Sequence, residues 1–112
     1  MDINHVKLEI FIPTENVNDL RVALANAGAG IIGNYDHCCS ITPVRGYWRP
    51  LDGSNPYDGT IGEVSEGHES KVEVNCPRAI LPQVIRAIRA IHPYEEPLIN
   101  IVPLLDEPDI PE

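Results

Sequence analysis

Hydrophobic and polar residues alternate along two segments of the chain, and a period of two is typical of a strand with one buried face. The buried positions would be Val6, Leu8, Ile10 and Ile12 in the first segment and Val72, Val74 and Cys76 in the second. Pro13 and Pro77 follow these segments and should end the strands, because a proline has no N–H to donate to a sheet. The pattern therefore predicts two half-buried strands.

A segment with helical spacing of apolar residues follows each of these strands. The apolar positions are Val17, Leu20, Leu24 and Ala27 in the first helix and Ile80, Leu81, Val84, Ile85, Ile88 and Ile91 in the second. Thr14 or Asn16 can cap the first helix, and Gly28 is a natural stop. Pro93 should terminate the second helix, which has the more continuous apolar stripe.

The rest of the chain has weaker patterns. Residues 31–45 favour a strand, and residues 98–105 predict a last strand, whose Pro103 implies an edge position or an early end. Residues 46–67 hold five glycines and two prolines, so we expect a long loop there, with room for a short strand over 47–51. A loop of this length inside a small domain is usually functional or packs on a neighbour.

The order of the elements predicts an α+β fold, a ferredoxin-like βαββαβ sandwich over residues 1–105. In this arrangement an antiparallel sheet carries two helices on one face, and every amphipathic element buries its apolar side. Residues 106–112 are acidic and contain two prolines, so we expect a flexible tail. Exposed sheet edges need covering, and a homo-oligomer such as a trimer is one physical solution.

The composition and net charge of the chain argue against some classes of function. The 112 residues fit one domain, and 43% apolar with 22% charged residues is typical of a globular protein. A net charge of −9 repels phosphate backbones and anionic lipids, which argues against nucleic-acid and membrane binding. The chain has an odd number of cysteines, three, and its sequence shows neither a leader nor an apolar run long enough to span a bilayer. We therefore expect a cytoplasmic protein with free thiols.

The segment after the second helix carries candidate metal ligands. His92, Glu95 and Glu96 offer an imidazole and two carboxylates, an acceptable set for a divalent cation. His92 at a helix C-terminus can equally bond the last carbonyl groups, and glutamates in turns are ordinarily solvated. The structural interpretation is the more frequent outcome for such a motif.

A second group of candidate ligands lies in residues 36–39, which read Asp-His-Cys-Cys. On a strand, only alternate side chains share a face, so either residues 36 and 38 or residues 37 and 39 could converge. Neither pair completes a metal site without ligands from across the sheet or from another subunit. A nucleophilic thiol would need a base or a helix N-terminus beside it, and the spacing assures neither.

Four arginines could gather a small anionic ligand: Arg45, Arg49, Arg86 and Arg89. Arg86 and Arg89 fall on the polar side of the second helix, and such residues more often lie on a solvated helix face than in a binding site. For Arg45 and Arg49, the alternative to ligand binding is a salt bridge within the loop.

Five motifs in series resemble the PII-like, or CutA-like, domain that is inserted in the middle of Nif-three-like proteins. In chain order they are Ala27-Gly28-Ala29-Gly30, the run Gly-Asn-Tyr-Asp-His-Cys over 33–38, Arg-Pro-Leu-Asp-Gly-Ser-Asn-Pro over 49–56, Gly62-Glu63, and His-Pro-Tyr-Glu-Glu-Pro over 92–97. The resemblance runs from about Lys7 to Leu105. The chain is similar to stand-alone versions of that domain.

The resemblance implies ferredoxin-like subunits, commonly trimeric, with clefts between subunits that take small ligands or metal ions. Nif-three-like proteins hold a dinuclear metal site in the two domains that flank the insert. The histidine motifs of those domains have no counterpart in this chain, so the resemblance implies no hydrolase activity here.

We therefore expect a non-enzymatic binding or regulatory module that works as a homo-oligomer, with a divalent metal ion or a small anionic ligand at a subunit cleft. The candidate metal ligands are His37, Cys38, Glu63, His92, Glu95 and Glu96. A small metal- or thiol-dependent hydrolase or transferase is one alternative, although the chain has no recognised nucleophile–base pair or complete metal set. A pure assembly module, which binds nothing, is the other.

Overall fold

The computed structural model describes residues 2–106. Its elements are strand β1 (His5–Pro13), helix α1 (Val17–Asn26), strands β2 (Ser40–Trp48) and β3 (Ser65–Pro77), helix α2 (Leu81–Ile91) and strand β4 (Ile99–Leu104). The strands form one antiparallel sheet in the order β2-β3-β1-β4. The α+β fold class and the ferredoxin-like βαββαβ order are confirmed.

Two further predictions, the acidic tail and the lack of a membrane span, can be compared with the structure only over residues 2–106. Apart from residue 106, the predicted acidic tail lies outside the described residues. No helix between residues 2 and 106 combines the length and the apolar character that crossing a bilayer requires.

The two strand–helix units are built in the same way. Each strand ends at a proline, Pro13 or Pro77, and continues through a single 3₁₀ turn into the helix. The first helix begins after Asn16, but the Asn16 side chain makes no capping hydrogen bond. The Thr14 hydroxyl does not cap either and instead lies 3.0 Å from the Ser70 hydroxyl on β3. The prediction of a side-chain cap is therefore wrong, although the predicted start of the helix is correct.

The core lies between one face of the sheet and both helices. Its fully buried side chains include Leu8, Ile10, Ile12 and Val72 on the strands and Leu20, Val84 and Ile88 on the helices. These are positions that the period-two and helical patterns assigned to the inside. Removal of their apolar area from water is the main favourable contribution to folding.

The opposite face of the sheet carries no helix, and we call it the uncovered face. Residues directly opposite each other in antiparallel strands point to the same side, so the strand register assigns this face. Its residues include Lys7, Glu9 and Phe11 of β1, Gly67, Glu69, Lys71 and Glu73 of β3, and Val44, Gly46 and Trp48 of β2.

The structure corrects the prediction for the middle of the chain. One continuous strand, β2, replaces both the strand predicted over 31–45 and the short strand over 47–51. The next strand, β3, already begins at Ser65, so the loop shortens to residues 49–64. Most of β2 is exposed at a sheet edge, and an edge strand has no strict alternation of hydrophobic residues to reveal it.

The two outer strands leave open edges, and the hairpin of β2 and β3 projects from the sheet. The outer strands are β2 and β4, which confirms the edge position that Pro103 predicted. Residues 65–68 of β3 pair with β2, whereas the β1 partners begin only at Glu69. The hairpin therefore extends past β1 by a length of about 13 Å.

Candidate functional site

A cavity of about 590 Å³ lies on the uncovered face, where the hairpin leaves the sheet. Its apolar wall includes Phe11, Val44, Trp48, Tyr57, Tyr94 and Leu98. Four acidic residues also line it, namely Asp58, Glu69, Glu95 and Glu96. A cavity of this volume, mostly apolar with a few polar groups, is typical of a site for a small organic molecule.

Two facing glycines, of which Gly46 lines the cavity, shape its floor. Gly46 on β2 and Gly67 on β3 face each other in the strand register. A Cβ atom on Gly67 would lie 2.9 Å from the Trp48 indole, and a Cβ atom on Gly46 would overlap the Glu69 carboxylate. The absence of both side chains therefore leaves room on the floor for an aromatic ring and a carboxylate.

Tyr94 connects this floor to the wall. Its hydroxyl donates a hydrogen bond to Glu69 Oε2 at 2.9 Å. The centroid of its ring lies 4.9 Å from that of His92 and 5.9 Å from that of Tyr57. Burial raises the pKa of Tyr94, and the hydrogen bond and charge of Glu69 raise it further. The hydroxyl is thus a permanent donor at neutral pH.

His92 fixes Tyr94 from behind. Its Nε2 lies 2.7 Å from the Phe11 carbonyl oxygen, and its Nδ1 accepts the backbone N–H of Tyr94 at 3.1 Å. Both contacts are satisfied by a neutral ring with the proton on Nε2. Burial lowers the pKa of His92 and outweighs the hydrogen bond to Phe11 and the charge of Glu69, which raise it. The acceptor is a carbonyl of β1, whereas the sequence suggested the last carbonyls of α2.

The loop of residues 49–64 forms another side of the cavity. The Trp48 indole Nε1 donates to the Asp58 carbonyl oxygen at 3.0 Å. The backbone N–H of Asn55 donates to Glu95 Oε2 at 2.8 Å and ties the loop to the segment after α2. Two of the sequence motifs, over 49–56 and 92–97, therefore meet at this cavity.

The predicted metal ligands divide between two places. Glu95 and Glu96 line the cavity. His92 lies behind the cavity wall, and both of its ring nitrogens already have partners. In this arrangement the Glu96 carboxylate and the second oxygen of Glu95 are available to a ligand, and the imidazole is not.

The other predicted ligands lie elsewhere. His37 and Cys38 border a small crevice against α1, and the exposed His37 ring lies 2.9 Å from the Asp36 carboxylate. Glu63 is exposed in the loop. Across residues 2–106, no three His, Cys, Asp or Glu side chains are grouped so that they could hold a metal ion. A metal site from the predicted residues would need ligands of a second subunit.

All three cysteines are free thiols. Cys76 is buried in the core, and burial raises the pKa of its thiol, which makes it inert. Cys38 and Cys39 are partly exposed, and the Cys38 sulfur lies 3.6 Å from the Asp36 carbonyl oxygen. In the part of the chain that the structure describes, no hydrogen bond joins a thiol to an imidazole.

The residues of the cavity that sequence reasoning missed include Trp48, Tyr57 and Glu69. The first two fall in the segment that was expected to be a loop, and Glu69 lies just before the segment with clear alternation. The available signal was the glycine pair, Gly46 and Gly67, whose meaning depends on the register of β2 against β3.

Comparison with known proteins relates the chain to a segment of longer proteins. It is 40% identical over 102 residues to the GTP cyclohydrolase 1 type 2 homolog of Bacillus subtilis, and the match covers 91% of this chain and 27% of that protein. The homolog of the same name from Mycobacterium tuberculosis matches with the same identity and coverage. The chain thus spans about a quarter of the length of these curated relatives. No protein-family model matches it.

Two solved structures place the fold. A Bacillus cereus protein related to NIF3 superposes with a TM-score of 0.81 and 32% identity, over 92% of this chain and 26% of that one. The periplasmic divalent cation tolerance protein CutA from Archaeoglobus fulgidus superposes with a TM-score of 0.67 and 19% identity, over 89% and 83% of the two chains.

These likenesses define the fold as ferredoxin-like, the fold that the chain shares with the CutA structures. Within that fold, the chain is similar to one segment of the NIF3-related proteins that carry the name GTP cyclohydrolase 1 type 2 homolog.

Proposed function

We propose that this protein is a non-enzymatic binding or regulatory module that works as a homo-oligomer and takes a small ligand in the cavity of the uncovered face. The observation that carries the proposal is a cavity of about 590 Å³ whose Trp48 and Tyr94 rings are held by hydrogen bonds to Asp58 and Glu69. A preformed apolar cavity costs a ligand little reorganisation, because the side chains that contact it are already ordered.

Exposed apolar surface and open edges support the homo-oligomer. The hairpin with its loop and the β4 edge expose large apolar side chains, which include Tyr47, Leu51, Ile61, Val64 and Ile101. The outer strands β2 and β4 also present unpaired backbone groups. A neighbouring copy that covers these surfaces would bury the exposed apolar side chains and pair the free backbone groups of the edges. A trimer is the arrangement that the resemblance to PII-like and CutA-like domains favours.

A divalent metal ion remains the second candidate ligand. The carboxylates of Glu95 and Glu96 line the cavity, and CutA from Archaeoglobus fulgidus is named a divalent cation tolerance protein. We propose that such an ion would bind between subunits, with His37, Cys38 or Glu63 of a second copy completing the set.

We also propose that the chain is a version of the domain inserted in Nif-three-like proteins. The match to about a quarter of the length of the curated relatives supports this proposal. The activity in the name of those relatives belongs to much longer proteins, and the proposal does not extend to it.

Native mass spectrometry of protein purified without added metal or chelator tests the function. We expect a homo-oligomer, a trimer by preference, that retains one small organic molecule per subunit. A retained mass that matches a metal ion would favour the second candidate. An oligomer without any adduct would favour a pure assembly module, and a bare monomer would contradict the proposal.

A pair of tyrosine variants locates the adduct. Tyr57 lines the cavity, whereas Tyr35 lies outside it and is 75% exposed. We expect Tyr57→Ala to lose the retained mass and Tyr35→Ala to keep it. Retention of the adduct by Tyr57→Ala would place the ligand elsewhere on the protein.

A further inference from the structure

The charged residues that line the cavity are mainly acidic, although the PII-like fold suggests an anionic ligand. Asp58, Glu69, Glu95 and Glu96 line it. Among the described residues, none of these four carboxylates lies within ion-pair distance of a lysine, arginine or histidine. The four carboxylates outnumber the two arginines of the lining, so the net charge of the cavity is negative and disfavours an anionic molecule.

Arg45 and Arg49 also line the cavity, but the contacts of their guanidinium groups direct them elsewhere. Arg45 lies between Val44 and Gly46 on β2, so its side chain points to the face opposite the uncovered one. Its guanidinium pairs there with Glu66 at 3.4 Å. Arg49 donates its Nε hydrogen to the Gly62 carbonyl oxygen at 3.2 Å, within the loop. Both guanidinium groups are therefore engaged in holding the hairpin and its loop.

Two residues of the aromatic wall, Trp48 and Tyr94, also have their polar hydrogens engaged. The indole N–H of Trp48 is donated to Asp58, and the hydroxyl hydrogen of Tyr94 is donated to Glu69. These two rings therefore present only their π faces and edges to a ligand. Glu69 receives a hydrogen bond at Oε2 from Tyr94, and its second oxygen retains its capacity to accept.

A π face beside a half-buried carboxylate is the environment that attracts a cation. Aromatic faces stabilise an ammonium or guanidinium group by about 0.5–2 kcal/mol, the larger value applying where water is excluded. A carboxylate adds a charge-assisted hydrogen bond. The apolar wall that Phe11 and Leu98 contribute would take the uncharged part of the same molecule.

We infer that the cavity binds an organic cation, a molecule with an ammonium, amidinium or guanidinium group on an apolar body, and that Glu69 is its counter-ion. This inference rests on the proposed function, since it names the ligand class of the same cavity. It replaces the small anionic ligand that the arginines suggested in the sequence.

Three probes of nearly equal shape test the charge preference, namely benzamidinium, neutral benzamide and anionic benzoate. Trp48 is the only tryptophan of the chain, so its fluorescence reports occupancy of the cavity without labelling. We expect benzamidinium to bind at least about tenfold more tightly than benzamide, which corresponds to about 1.4 kcal/mol, and benzoate to bind least.

Matched variants on one strand assign the counter-ion. Glu69 and Glu73 both lie on the uncovered face of β3, but only Glu69 lines the cavity. We expect Glu69→Gln to lose the tenfold preference for benzamidinium and to bind benzamide as before, whereas Glu73→Gln keeps the preference. The benzamide arm distinguishes a lost counter-ion from a collapsed cavity, because a collapsed cavity would bind neither probe.

The outcomes separate the inference from the proposed function. Equal or tighter binding of benzamide or benzoate would overturn the organic cation alone, and so would an unchanged preference in Glu69→Gln. Failure of all three probes would also overturn it, and would overturn the proposed function as well if native mass spectrometry shows no adduct. Benzamidinium binding with an unchanged subunit number identifies a free molecule as the natural occupant. Dissociation of the oligomer instead identifies a cationic side chain of a neighbouring copy, and either result supports a cation.

Discussion

The two ends of the uncovered face differ in how their charges are neutralised. At one end, Lys7 lies 2.7 Å from Glu73 and 3.3 Å from Glu9, and Lys71 lies 3.5 Å from Glu73. Hydrogen bonding to Glu73 raises the pKa of Lys7 and lowers that of Glu73. At the other end, Glu69 has a tyrosine hydroxyl as partner and aromatic rings around it.

The difference shows which part of the face is complete in a single subunit. A ladder of alternating charges is satisfied by its own members and by water, so it requires no further partner. Carboxylates without cations beside an apolar cavity are not satisfied in this way. Strand β3 runs through both ends of the uncovered face. The change from paired to unpaired carboxylates therefore occurs between Glu73 and Glu69 of this strand.

The largest effect on stability should come from Tyr94→Ala. The substitution removes ring contacts with His92 and Tyr57 and the hydrogen bond to Glu69. We expect a loss of about 2–4 kcal/mol in the free energy of unfolding, measured with urea. Tyr94→Phe is the matched control and should lose only about 1 kcal/mol, because it keeps the ring. An equal loss in both variants would contradict a packing role for the ring.

Gly46→Ala should have the next largest effect. The added Cβ would occupy the place of the Glu69 carboxylate, which must then leave the Tyr94 hydroxyl. We expect a loss of about 1 kcal/mol in unfolding free energy and a shift of the Trp48 emission. The double variant Gly46→Ala/Tyr94→Phe should show non-additive losses. Additive losses would mean that Gly46 and the hydrogen bond are independent.

Protonation of His92 should weaken the apolar end as the pH falls. Burial holds the pKa of His92 below its ordinary value of 6.5. The unfolded chain therefore takes up a proton at this residue as the pH falls through 6.5, while the folded chain does not, and stability is lost toward the lower folded pKa.

We expect the melting temperature to fall between pH 7 and about pH 5.5, and to fall less steeply in His92→Gln. The amide of glutamine can still donate to the Phe11 carbonyl but does not titrate. The difference between the two slopes isolates His92 from the other three histidines. Parallel slopes would exclude the neutral ring as the stabilising form.

The smallest effect is expected at the charged end. Lys7→Gln removes two ion pairs with partly solvated carboxylates. We expect a small fall in melting temperature in dilute buffer that disappears in about 1 M NaCl, because salt screens such pairs. A large, salt-independent fall would show that this end is also desolvated, as it would be in a tight subunit interface.

The order of the elements and the core could be predicted from the sequence because both depend on local periodicities of apolar residues. Leu8, Ile10 and Ile12 repeat every second residue, and Val84 and Ile88 repeat at helical spacing, wherever the neighbouring strands lie. The position of β2 was predicted only in part, because an edge strand exposes most of its residues and loses the alternation that marks a strand.

The site was predictable as a region and not as an arrangement. The motif of residues 92–97 was singled out, but it contributes the Tyr94 ring and the carboxylates of Glu95 and Glu96 to the cavity rather than an imidazole. The role of Glu69 depends on its lying opposite Val44 and next to the paired glycines. Such a relation is set by strand register over a long separation along the chain, and no local pattern reports it.

The projecting hairpin gives the cavity a mechanical independence from the rest of the sheet. β3 has neighbours on both sides only over residues 69–73, and toward its start the hairpin is held by one ladder. Its amide protons over 65–68 should therefore exchange with solvent through local opening, long before the doubly paired centre is released. An occupant that contacts the hairpin and the 92–97 segment together would act as a clamp on this opening. It would lengthen the lifetime of the closed tip by much more than it changes the lifetime of the core.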